Sequence, residues 1–179
     1  MIGIILYGPP CSGKDTVSHT LESLDARYSI FPRLKVGPGR TTSYRMTTEP
    51  ELDRLRAGDE ILWENQRYSA RYAVDRSTLL EQLDQGHPIL HLGQVEAVET
   101  IIGTVPSTQW LVVYLWCPRD VAEERMLRRA TGDVAERLQV WDETPPLRSA
   151  DLTVDTSLTT PLETASLIAE FVSRESRRR

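Results

Sequence analysis

The chain has 179 residues, with 21 lysines and arginines against 26 aspartates and glutamates and a formal net charge of −5. That length suits one domain with small inserted lobes, and the acidic balance argues against a nucleic-acid binder. No stretch approaches the ~20 apolar residues of a membrane-spanning helix. Cys11 and Cys117 are the only cysteines and share no metal-ligand spacing, which fits a reduced, cytoplasmic protein.

Taken in order, Ile2-Gly3-Ile4-Ile5-Leu6-Tyr7 is a short β-branched apolar run, predicted as a strand. Gly8-Pro9-Pro10-Cys11-Ser12-Gly13-Lys14 follows with the spacing G-x-x-x-x-G-K. Val17, Leu21 and Leu24 then recur at helical spacing, predicting a helix from about Lys14 to Leu24. Strand, glycine-bearing turn and helix form the setting of a phosphate-binding loop. Glycines let backbone N–H groups point inward at an anion, and the first helical turn adds free N–H groups and partial positive charge. Lys14 supplies a full charge. The next residue is Asp15 where such loops carry Ser or Thr, so Mg²⁺ falls to the Asp15 carboxylate or to the Thr16 hydroxyl.

A second short strand is predicted over Leu34–Val36, broken by Gly37-Pro38-Gly39. Thr48 reads as the N-cap of a helix that ends at Gly58. Ile61–Glu64 and Arg71–Val74 read as two strands around a polar turn, and Asp75–Leu83 as a helix. His87–Gly93 and Trp110–Trp116 are buried-type strands. Helices are predicted over Val95–Ile102, Pro118–Arg129 and Val134–Asp142, then a strand over Leu152–Asp155 and a helix over Pro161–Val172. Strands alternating with helices predict a three-layer α/β fold around a central, mostly parallel sheet.

Two clusters bear on what is done with the phosphate. Arg125, Arg128, Arg129 and Arg137 flank a break at Gly132. Guanidinium groups on a hinged segment suit the charge of a transferring phosphoryl group, although Glu123, Glu124, Asp133 and Glu136 are near enough to pair with them. Arg40, Tyr44, Arg45, Glu64, Tyr68, Arg71 and Tyr72 form the other cluster, suited to an acceptor that carries its own phosphate.

These residues carry a resemblance to the guanylate kinase branch of the P-loop nucleoside monophosphate kinases. The loop Gly8–Lys14 resembles that family's phosphate loop, and Arg40–Arg45 resembles a displaced T-T-R-x-P-R segment. The run Glu51–Glu64 is similar to the helix-glycine-F-L-E run that ends in a guanine-reading glutamate. Arg71–Val74 stands where the family has Y-Y-G-T, Glu136-Arg137-Leu138 resembles its lid run, and Asp151–Ser157 resembles its last strand and donor-adenine loop. The chain departs from the family at His91-Leu92-Gly93-Gln94, where acids are expected. Asp15 is shared with some relatives, including ribose 1,5-bisphosphate phosphokinase.

The resemblance implies a single kinase domain over 1–179, with an acceptor-binding insertion near 31–75 and a lid near 128–137. It implies ATP and Mg²⁺, with Lys14, Arg129 and Arg137 at the transferring phosphoryl group. The loop residues Gly8, Pro9, Pro10, Cys11, Ser12, Gly13, Lys14, Asp15 and Thr16, with Arg125 and Asp155, hold the donor. Arg40, Arg45, Glu64, Tyr72 and Gln94 hold the acceptor, expected to be GMP or dGMP. A sugar phosphate or modified nucleotide is the alternative, and a non-catalytic nucleotide-binding module a third. A monomer or homodimer is expected, with no nucleic-acid or membrane partner.

Overall fold

A computed structural model describes residues 1–67, 69–129 and 132–177. Its core is a five-stranded parallel sheet in the order β2-β7-β1-β8-β9. The strands are β1 (Ile2–Tyr7), β2 (Tyr28–Ile30), β7 (His87–Leu92), β8 (Gln109–Trp116) and β9 (Leu152–Asp155). Every residue of β1 is buried, because this central strand is covered on both faces. Period-two alternation sends Ile4 and Leu6 to one side, against Val17 and Leu21 of α1 (Lys14–Leu24) and Ile168 and Val172 of α7 (Pro161–Arg177). Ile5 and Tyr7 go to the other, against Leu79 of α3 (Arg76–Gln85) and Val98 and Ile101 of α4 (Val95–Thr104). Helices on both faces of the parallel sheet make the three layers expected.

Residues 34–75 leave this sheet and build a second one in the order β4-β3-β6-β5. It comprises β3 (Leu34–Val36), β4 (Arg45–Met46), β5 (Ile61–Arg67) and β6 (Ala70–Asp75), with α2 (Glu49–Ala57) between β4 and β5. Leu52 of α2 seals a small core with Leu34 and Ala73. Thr48 caps α2, its hydroxyl accepting from the Glu51 N–H. Strands β2 and β4 were not expected from the sequence: at three and two residues they are too short to show an alternation, and only pairing with β7 and β3 defines them.

Over the loop after β1 lie α5 (Arg119–Arg129) and α6 (Val134–Glu143), joined through residues 130 and 131, which are outside the described residues. Ala122 and Met126 of α5 pack with Leu138 and Trp141 of α6 against Cys11 and Cys117. Tyr68, expected near the acceptor, also lies outside the described residues. No described helix is long and apolar enough to cross a membrane.

Candidate active site

The C-terminal ends of β1 and β7 open onto a cleft of about 700 Å³, the usual ligand position in an open parallel sheet. Between β1 and α1 the chain turns through Gly8, at φ 151°, where a Cβ would sit 2.0 Å from the Leu115 carbonyl oxygen. Only glycine fits there. Gly13, at φ 93°, enters α1 in the left-handed region, so the loop wraps closely around the head of the helix. The Lys14 ammonium folds back over this loop, donating to the carbonyls of Gly8 at 2.6 Å and Pro9 at 2.7 Å and to Ser12 Oγ at 3.2 Å. Burial pushes its pKa down to about 8, from 10.5.

Asp15 lies beside it on the cleft wall. Its Oδ1 is 3.3 Å from His91 Nδ1, and its Oδ2 accepts from Arg40 Nη1 at 2.9 Å. The His91 and Arg40 contacts hold the Asp15 carboxyl far below the usual carboxylate range, so it is ionised at neutral pH. Desolvation lowers the His91 pKa. A neutral imidazole with Nδ1–H toward Asp15 and Nε2 accepting from Ser18 Oγ, 2.6 Å away, satisfies every group in the set. Asp15 is a hard, ionised oxygen ligand in the cleft and therefore fits Mg²⁺. Among the described residues no group of three or more His, Cys, Asp or Glu could hold a metal ion alone. The ion would therefore take most of its ligands from bound phosphates and water. Thr16 points out of the cleft, exposed on α1.

Across the cleft, the small sheet presents Arg33, Lys35, Tyr44, Arg67 and Tyr72. Lys35 is 1 % exposed and donates to the Arg40 carbonyl at 2.7 Å. Both cations lie over the rings of Tyr44 and Tyr72, at 5.1 to 5.8 Å from the ring centroids. Burial lowers the Lys35 pKa and raises that of Tyr72. Among the described residues no carboxylate pairs with Arg33 or Lys35. A buried charge without a counter-ion is costly in the free protein and gains most from an anionic ligand.

Of the residues expected at the acceptor, Arg40, Tyr72 and Gln94 line the cleft and Glu64 and Arg45 do not. Glu64 sits one residue out of phase: β5 sends Trp63, Asn65 and Arg67 to one face and Glu64 and Gln66 to the other. Its carboxylate pairs with Arg56 of α2 at 2.9 Å, on the outer face. Arg45 turns away to the buried Asp75 carboxylate and to the Pro32 carbonyl. Arg33, Lys35, Asn65 and Arg67 were not anticipated. The signal for the first two was there, because Arg33 and Lys35 stand two apart around the buried Leu34.

From α5 and α6, Arg129 and Arg137 line the cleft, with Asp133 at 2.8 Å from Arg137 Nε. Arg128 points outward to Glu124. Arg125 was expected to touch the donor. Instead it braces the loop from behind, donating to the Cys11 carbonyl at 3.1 Å and to Thr156 Oγ1 and O at 2.9 and 2.7 Å. Asp155, also expected at the donor, folds onto its own turn and accepts from Ser157 N and Oγ.

No family model matches the chain. It is 25 % identical over 176 residues to the guanylate kinase of Streptomyces coelicolor, covering 96 % of this chain and 86 % of that protein. It is 24 % identical over 176 residues to the guanylate kinase of Streptomyces kasugaensis, covering 96 % and 82 %. Its fold matches the crystal structure of guanylate kinase from Anaplasma phagocytophilum with a TM-score of 0.67 at 16 % identity, over 97 % of this chain and 85 % of that one. The chain thus resembles guanylate kinases in sequence and shares their fold.

Proposed function

We propose that the protein transfers the γ-phosphoryl group of ATP to the phosphate of a nucleoside monophosphate, with GMP or dGMP as the first acceptors to test. One observation carries the reading. A phosphate loop with its lysine faces, across a single cleft, a tyrosine-lined wall whose Arg33 and Lys35 have no carboxylate partner among the described residues.

The loop amides and Lys14 would bind the donor's phosphates, and Asp15 would be the protein's contribution to Mg²⁺, which would supply further charge neutralisation for the donor phosphates. Arg33, Lys35 and Tyr72 would bind the acceptor phosphate. One of its oxygens attacks the γ-phosphorus, the bond from that phosphorus to the β–γ bridging oxygen breaks, and ADP leaves. An ionised phosphate oxygen needs no general base. Arg129 and Arg137 would neutralise the equatorial oxygens as charge spreads over them.

The outward turn of Glu64 favours a second reading, in which the acceptor is a modified nucleotide or a sugar phosphate such as ribose 1,5-bisphosphate. A module that binds ATP without catalysis is the third, and the arginines on the lid side speak against it.

Coupled ADP release from ATP and Mg²⁺, measured across ribo- and deoxynucleoside monophosphates and pentose phosphates, tests the reading. Acceptor-dependent release that Lys14→Ala abolishes is expected. ATP binding with no release for any acceptor would leave the non-catalytic module.

A further inference from the structure

The far end of the acceptor wall holds an amide pair. Asn65 Nδ2 donates to Gln94 Oε1 at 2.8 Å, and both residues line the cleft. Asn65 belongs to β5 of the small sheet. Gln94 sits at the N-cap of α4 in the core without using its side chain as a cap. Asn65 Oδ1 is buried and has no partner among the described residues. A buried acceptor left open at a cleft wall awaits a donor.

The bonding arithmetic is independent of how the two amides are turned. Each carboxamide has one oxygen and one NH₂ group. With the mutual bond made, Asn65 Oδ1 and the Gln94 amino group remain. Turning both amides over exchanges these roles, and the pair still offers one acceptor beside one donor. Turning only one would set two donors or two oxygens face to face. A carboxylate, by contrast, offers acceptors alone. The carboxylates lining the cleft are Asp15, held by His91 and Arg40, and Asp133, beside Arg137.

Register places this pair relative to the phosphate. Lys35 pairs with Tyr72, and Tyr72 with Asn65, across three neighbouring strands. The amide pair is therefore two strand spacings, roughly 10 Å, from the buried ammonium. An acceptor phosphate at Arg33 and Lys35 would put a sugar over Tyr72 and a ring edge at Asn65.

Resting on the nucleotide reading above, we propose that the Asn65–Gln94 amide pair holds the acceptor by an edge with one hydrogen-bond donor beside one acceptor. On guanine that edge is the N1–H with O6, and the 2-amino group plays no part. Hypoxanthine offers the same edge. An edge of two adjacent donors would leave one of them against the amide's own donor, unpaired.

The test compares GMP with IMP, which lacks the 2-amino group, by kcat/KM in the wild type and in Asn65→Asp. The wild type is expected to use the two within about 3-fold. Asn65→Asp replaces the amide by a carboxylate that can take N1–H and the 2-amino group together, and should favour GMP over IMP by about 10-fold or more, mostly through KM. Unchanged ATP binding checks that the variant folds. A wild type that prefers GMP by more than 10-fold, or a ratio that Asn65→Asp leaves unmoved, would overturn the proposal.

If pentose phosphates are used and nucleotides are not, the nucleotide reading fails by itself. A sugar hydroxyl is also a donor and an acceptor, so the comparison becomes ribose 5-phosphate against 2-deoxyribose 5-phosphate. Loss in Asn65→Leu of a wild-type preference for the ribose compound would keep the amide pair as the reader. No preference, or one the variant preserves, would overturn it, as would silence with every acceptor.

Discussion

At the scale of single residues, Lys14 makes the protein's pH behaviour predictable. Its ammonium is charged below about 8 and neutral above. The phosphates need the charged form, so ATP affinity should fall as pH rises through 8, by up to about tenfold per pH unit beyond it. Titration calorimetry from pH 7 to 9.5 measures this, and Lys14→Ala should bind weakly with a flat profile. Stability runs the other way. The unfolded chain holds this proton to about 10.5, so between 8 and 10.5 it binds more protons than the folded one, and this group's contribution to stability rises with pH. The phosphate loop was legible because its chemistry is local: glycine spacing, a lysine and a helix start all lie within nine residues. Glu64 was misplaced because strand parity is not local. Trp63, Glu64 and Asn65 all suit a pocket, and only the pairing of β5 with β6 decides which of them faces it.

Among the elements, the join between the small sheet and α3 is held by one carboxylate. Asp75 is 2 % exposed, pairs with Arg45, and caps α3 by accepting from the Thr78 N–H and, at 2.6 Å, from Thr78 Oγ1. Asp75→Ala should remove the cap and leave Arg45 without its partner, at a cost of about 3 kcal/mol. Urea unfolding measures that loss, while ATP affinity should stay within about 3-fold, because Asp75 lies outside the cleft. Arg45 thus belongs to stability, although its place in the sequence suggested the acceptor. Most elements were readable from periodicity and end signals, Thr48 at the start of α2 among them. What the sequence leaves dark is pairing across elements, which puts Arg33 and Lys35 over Tyr72 and sends Arg125 to the back of the loop.

For the whole molecule, three parts converge on one cleft: the sheet's phosphate loop, the small sheet's cationic wall, and Arg129 and Arg137 from α5 and α6. Arg137→Ala should lower turnover by about 10³ while moving ATP affinity by less than about 5-fold, since the charge it meets develops only during transfer. Single-turnover rates beside equilibrium ATP binding separate the two, and equal losses in both would assign Arg137 to ground-state binding. The most direct test is binding of a bisubstrate compound, adenosine joined to guanosine through five phosphates. Donor and acceptor sites in one cleft predict that one molecule binds per chain, displaces both ATP and GMP, and binds at least 100-fold more tightly than either alone. Binding no tighter than ATP, with GMP still able to bind alongside, would contradict a shared cleft for both substrates.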